Sequence, residues 1–99
     1  MAKSTSSRRV LRVLALLKGH TLDGLANGEI AQALDETPVN ISRALAVLAE
    51  EGWVTQLPSG RYAHHISVLQ LAQAHANEMD RASSRIREIN QRVMAGAHN

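Results

Sequence analysis

From Thr37 to Glu51 the segment TPVNISRALAVLAEE places Ile41, Ala44, Leu45 and Leu48 at i, i+3, i+4 and i+7. That is the spacing of one apolar stripe on a helix facing a core. Thr37 can cap the helix by accepting a first-turn N–H, and Pro38 follows at the first helical position, where its missing N–H costs nothing. The opposite face carries Val39, Asn40, Ser42, Arg43 and Ala46. It is small and polar, with one cation and no carboxylate. The acids Glu50 and Glu51 stand at the far end.

The same kind of pattern precedes it. Val10, Leu11, Val13, Leu14 and Leu17 predict a first helix, capped by Ser6 or Ser7 and running to about Lys18, with Arg8, Arg9 and Arg12 on its other side. Gly19 suits the chain reversal after a helix C-terminus. The loop HTLDGLANG offers Leu22 and Leu25 to the core. Asn27 is placed to cap a short second helix with Ile30, Ala31 and Leu34 buried, and Glu29 sits near its positive end. Asp35 and Glu36 make the turn into the Thr37 helix. Two short helices joined by a tight turn form a helix-turn-helix layout.

Beyond Gly52 the period changes. WVTQL and RYAH read as two short strands around Pro58-Ser59-Gly60, a connection that suits a hairpin with a bulge. Arg61 follows the turn directly. From about Ile66 to Met94 no Pro or Gly intervenes, which predicts one helix about 40 Å long at 1.5 Å per residue, ended by Gly96. Leu69, Ala72, Ala76, Met79, Ser83, Ile86, Asn90 and Val93 alternate in steps of three and four, a heptad register. Val68, Leu71, His75, Met79, Ala82, Ile86, Ile89 and Val93 fit nearly as well, so the stripe is broad. A domain of about 65 residues cannot cover such a stripe. It needs another helix, most simply a second copy.

The fold class expected is mainly α with a small β-hairpin: a winged helix-turn-helix over residues 1–65, and a long helix for dimerisation over residues 66–99. Composition narrows the function. Of 99 residues, 44% are apolar, but Trp53 and Tyr62 are the only aromatics, so Leu, Ile, Val and Ala must build the core. Without cysteine there is neither a disulfide nor a thiolate metal site. His64 and His65, adjacent on a strand, point to opposite faces, and His75 stands alone; no metal or cofactor is expected. No serine has a recognisable His and Asp partner and no Gly-rich loop could cradle a phosphate, so an enzyme is not expected. The segment MAKSTSSRRV lacks a signal-peptide core and no run could span a bilayer, which gives a cytoplasmic location and no membrane partner.

The net charge of +2 is small, but Lys3, Arg8, Arg9 and Arg12 precede any acidic residue. An acid-free helix face bearing Asn, Ser and Arg can approach phosphates and reach base edges. Double-stranded DNA is therefore the expected partner. Thr37, Val39, Asn40, Ser42 and Arg43 are the candidate contacts in the major groove, Arg8, Arg9 and Arg12 on the backbone, and Arg61 beside the minor groove or backbone. Leu69, Ala72, Ala76, Met79, Ile86, Ile89 and Val93 are the candidate homodimer contacts. The function expected is a homodimeric, sequence-specific transcriptional regulator. Its rivals are a protein-interaction module built on the same scaffold and a non-specific architectural DNA binder.

Residues 7 to 63, with SRRVLRVLALLKG, GEIAQALDETPVNISRALAVLAEEGWV and the short PSGRY wing, resemble the N-terminal DNA-binding domain of IclR-type transcriptional regulators. The order and spacing of every element agree. The match is more specific for a winged helix-turn-helix than for IclR against MarR-like relatives. The resemblance implies that Val39, Asn40, Ser42 and Arg43 enter the major groove and that Arg61 lies in the wing. The chain departs from the family pattern in two ways. One helix stands where the family continues into a large effector-binding domain, and Pro38 and Val39 replace the small polar or basic residues common early in the recognition helix. A regulator so compact suits a phage or mobile element.

Overall fold

The computed structural model describes residues 5–97; Lys3 lies outside them. The chain divides into two compact units, Met1–Leu69 and Gln70–Asn99. In the first, helix α1 (Ser6–Leu16) is capped by Thr5 rather than by Ser6 or Ser7: Thr5 Oγ1 accepts the Arg8 N–H at 3.2 Å. Val13 and Leu17 are fully buried, with Val10, Leu14 and Leu16 packed against the core. Leu11, expected on the same face, is 65% exposed. It falls one residue off the i, i+3, i+4, i+7 line through Val10, Val13, Leu14 and Leu17.

In the following loop Leu22 is 88% exposed and does not plug the core, whereas Leu25 packs on it. The difference lies in the backbone. Leu25 and Tyr62 exchange two N–H···O bonds of 2.8 Å each, an isolated antiparallel bridge that turns Leu25 inward. Gly24 makes this approach possible. Its φ is +69°, and a Cβ there would lie 2.6 Å from Tyr62 O.

Helix α2 (Asn27–Leu34) starts at the expected cap residue itself, one position earlier than the sequence predicts. Ala26 is the N-cap, and its N–H is satisfied by Glu29 Oε1 at 2.9 Å, so Asn27 is the first helical residue. The helix ends in a Schellman motif, with Glu36 N–H donating to Ala31 O at 2.9 Å and Asp35 N–H to Gln32 O at 3.3 Å. Asp35 takes the left-handed position at φ 54°, the one described non-glycine residue to do so.

Helix α3 (Pro38–Glu50) begins as expected, with Thr37 Oγ1 accepting the Asn40 N–H at 3.2 Å. Ile41, Ala44, Leu45 and Leu48 are its buried residues. They meet Val13 and Leu17 from α1 and Ile30 and Ala31 from α2 in one core. Each large side chain so buried stabilises the fold by roughly 1.5–3 kcal/mol. A second Schellman motif ends α3: Gly52 at φ 80° lets Trp53 N–H reach Leu48 O at 2.8 Å.

Strands β1 (Val54–Gln56) and β2 (Tyr62–His64) form the antiparallel hairpin, with Val54 opposite His64 and Gln56 opposite Tyr62. Its turn closes through Gly60 N–H to Leu57 O at 2.8 Å and Leu57 N–H to Arg61 O at 2.7 Å. Gly60 sits at φ 88°, the left-handed residue of a bulged turn. His64 Nε2 donates to Leu14 O at 2.7 Å and fastens the hairpin to the end of α1.

Helix α4 (Ile66–Ala97) starts where His65 Nδ1 accepts the Ser67 N–H at 3.1 Å. Its 32 residues extend roughly 48 Å at 1.5 Å per residue. Gly96 lies inside the helix instead of ending it, which is tolerable in a last turn with few following bonds to lose. No residue of α4 is buried.

Candidate nucleic-acid interface

The outward face of α3 is fixed from within. With Ile41, Ala44, Leu45 and Leu48 turned to the core, the helical period forces the residues between them to solvent. Val39 is 60% exposed, Ser42, Arg43 and Ala46 are exposed, and Asn40 is half-buried. Thr37 is exposed too, with its hydroxyl oxygen occupied by the cap. No carboxylate belongs to this face before Glu50. The Arg43 side chain has no hydrogen-bond or ion-pair partner among the described residues.

Between α3 and the hairpin the surface is concave, lined by Ser42, Leu45, Ala46, Ala49, Gln56 and Tyr62. Ser42 is also tied backward, since Asn27 Nδ2 donates to its Oγ at 2.8 Å. The N-terminus of α2 thus touches the outward face of α3.

The five candidate arginines of this unit divide into two groups. Arg8 is exposed, and like Arg43 it has no side-chain partner among the described residues. Arg9, Arg12 and Arg61 are engaged within the chain. Arg9 Nε stands 3.1 Å from Glu36 Oε2, with both side chains largely buried. Arg12 reaches the other oxygen of Glu36 at 3.9 Å and donates to Leu34 O, at the end of α2, at 3.1 Å. The two arginines therefore hold α1 against the turn of the helix-turn-helix. Arg61 Nη1 lies 2.9 Å from Glu29 Oε1, Nε donates to Asp23 O at 2.9 Å, and Nη2 to Gly24 O at 3.0 Å. It joins the wing to the loop before α2.

Glu29 is lowered from its ordinary carboxyl pKa, first by the Ala26 N–H it accepts and then by the charge and hydrogen bond of Arg61. Asn27, Glu29 and Glu36 carry only local roles in the sequence pattern, as cap, first-turn acid and turn residue, because Ser42, Arg61 and Arg9 meet them from other elements. Among the described residues no group of three or more His, Asp or Glu side chains could hold a metal ion. No described helix is long and apolar enough to cross a membrane.

The arrangement presents an uncharged-to-basic helix face beside a small β-wing, a geometry suited to a duplex groove. A family model, the IclR helix-turn-helix domain, matches residues 6–58, over half of the chain. No curated protein and no solved structure matches it. The order of α1, α2, α3 and the hairpin, the capped entry into α3 and this match lead to one assignment: the chain belongs to the IclR helix-turn-helix family, whose members are DNA-binding transcription regulators.

Proposed function

We propose that this protein is a sequence-specific transcriptional regulator that binds duplex DNA in the cytoplasm as a homodimer. Residues 1–65 serve as the DNA-binding domain and 66–99 as the dimerisation helix. The observation that carries the reading is the outward face of α3, where Val39, Asn40, Ser42 and Arg43 stand free of any carboxylate. Thr37 and Pro38 set where that face begins. Arg43 reads a base, where a guanidinium pairs bidentately with guanine O6 and N7. Arg8 sits one face away on α1 and touches phosphate. Arg9 and Arg12 add positive potential from positions held by Glu36, and Arg61 does so from the wing.

The dimer follows from α4, whose exposed Leu69, Met79, Ile86, Ile89 and Val93, together with Ala72 and Ala76, form a seam that a second copy buries. One winged helix spans only a few base pairs, and two half-sites supply the missing specificity. Titration of a selected duplex against scrambled competitor at fixed salt tests the reading. Tight binding with a large excess over scrambled DNA is expected. Equal binding to both would make the protein architectural, and no binding would make the scaffold a protein-interaction module. Arg43→Ala should lose about 1–3 kcal/mol on the preferred site and relax preference at one base pair. Unchanged affinity and preference would remove Arg43 from the interface.

A further inference from the structure

We propose that Asn27 is a positioning residue that fixes Ser42 as a hydrogen-bond donor toward the DNA, so that the base facing Ser42 presents an acceptor. The inference rests on the reading of α3 as the base-reading helix. A serine hydroxyl has one proton to give and two lone pairs to offer. Free in water, it reads donors and acceptors alike and discriminates little. Here one lone pair is already committed, because Asn27 Nδ2 donates to Ser42 Oγ at 2.8 Å. A hydroxyl that accepts from behind faces outward with its proton and one lone pair, and the bond it accepts polarises the O–H and makes donation the stronger of the two.

Asn27 can do this because of where the backbone places it. The cap of α2 falls on Ala26, and Glu29 satisfies the cap N–H. The Asn27 side chain is thereby released from the capping duty its sequence position suggests. Its Oδ1 is buried without a hydrogen-bond partner, and the bond to Ser42 is the amide's one hydrogen bond among the described residues.

A donating hydroxyl in the major groove suits purine N7, guanine O6 or thymine O4. It opposes cytosine, whose groove edge offers the N4 amino donor. Asn27→Asp reverses the polarity: a carboxylate can only accept, so the hydroxyl donates to it and Ser42 turns its lone pairs outward, which suits cytosine.

The test is selection of bound duplexes from a randomised library by the full-length protein and by N27A, N27D and S42A, each first shown to melt cooperatively like the wild type. S42A marks the base in question as the one whose preference it abolishes. At that base the wild type should disfavour cytosine about fivefold, the worth of one hydrogen bond. N27A should flatten the preference and N27D should turn it toward cytosine. The added negative charge of N27D weakens all duplexes equally and leaves this readout intact. If N27A and N27D keep the wild-type preference, if the wild type itself favours cytosine, or if S42A changes no position, the inference is overturned while DNA recognition stands. A library that yields no enriched duplex for any of the four proteins removes the recognition reading, and this inference with it.

Discussion

Arg61 and Glu29 meet at a single carboxylate oxygen that also caps a helix. Glu29 Oε1 lies 2.9 Å from Arg61 Nη1 and accepts the Ala26 N–H at 2.9 Å. With Asp23 O and Gly24 O on its other nitrogens, Arg61 ties the wing to the start of α2. The ion pair is substantially exposed and contributes little after screening. The two bonds to backbone carbonyls matter more. Arg61→Ala should cost about 1–2 kcal/mol in urea unfolding. Arg61→Lys should recover little of that, since one ammonium cannot serve three acceptors arranged around a planar fork. Full recovery by lysine would mean that charge alone holds the wing.

The same contact sets a pH dependence. The Glu29 carboxyl is held below its ordinary value of 4.5 in the folded chain, chiefly by the Ala26 N–H and then by Arg61. A depressed carboxyl binds its proton less readily folded than unfolded. Its stabilising contribution is therefore complete above about 4.5 and is lost as pH falls through the lower folded value. Glu29→Gln should remove that part of the acid destabilisation and lower stability at neutral pH. Denaturation midpoints of the two proteins across pH 3 to 7, on the order of the range where carboxylates titrate, should converge toward the acid end.

Gly24 and Gly19 separate two costs that sequence alone confounds. Both have positive φ, but a Cβ at Gly19 meets nothing within 4 Å, whereas at Gly24 it would lie 2.6 Å from Tyr62 O. Gly19→Ala should cost about 1 kcal/mol, the left-handed penalty alone. Gly24→Ala must also break or shift the bridge between Leu25 and Tyr62, and should cost about 2–3 kcal/mol. Equal melting points for the two variants would show that the bridge adds nothing.

What was legible in the sequence was what short-range rules govern. Thr37 and Pro38 mark the start of α3, and the stripe through Leu48 marks its buried side, because cap and stripe lie within a few residues of each other. Leu25 looked like any loop leucine. Its bridge to Tyr62 involves one residue, too short for a strand pattern, so nothing separated it from the exposed Leu22. Arg12, Arg61 and Asn27 find their partners 22, 37 and 15 residues away. No local period encodes such a meeting. Arg9, Arg12 and Arg61 therefore read as DNA contacts, although Glu36 engages the first two and Glu29 with the loop before α2 engages the third.

That division gives α1 a test of its own. Arg12 is bonded to Leu34 O and lies near Glu36, whereas the Arg8 side chain is free among the described residues. Arg8→Ala should leave stability within about 0.5 kcal/mol. It should reduce the salt slope of DNA binding by roughly one unit if it holds one phosphate. Glu36→Ala should do the reverse. It removes the carboxylate from beside a largely buried Arg9 and should cost about 2–3 kcal/mol of stability. A salt slope that stays fixed in Arg8→Ala would take α1 out of the DNA interface.

The dimer is the expectation with the widest consequence. Along α4, Leu69 is 41% exposed, Met79 47%, Ile86 60%, Ile89 47% and Val93 62%. All lie on one broad stripe, and monomers seldom leave so long an apolar seam in water. A partner helix would bury it with a gain of about 25 cal/mol per Å². In the heptad that starts at Leu69, Ala72, Ala76 and Ser83 let two backbones approach closely. Asn90 sits at a seam position, where pairing with its mate fixes register at some cost in stability. A two-fold pair of winged helices then matches a roughly palindromic site, with half-sites about 10 base pairs or a multiple apart. Ile86→Glu puts two like charges across the seam. It should convert the dimer to a monomer in light scattering and leave the melting of the winged helix unchanged. It should also weaken operator binding by about 10²–10⁴-fold, the linkage advantage lost when half-sites bind one at a time. A wild-type protein that is monomeric at micromolar concentration, well above the roughly 10⁻⁸–10⁻¹¹ M range of specific binding, yet binds a single duplex tightly would overturn the dimer and assign the α4 stripe to a different partner.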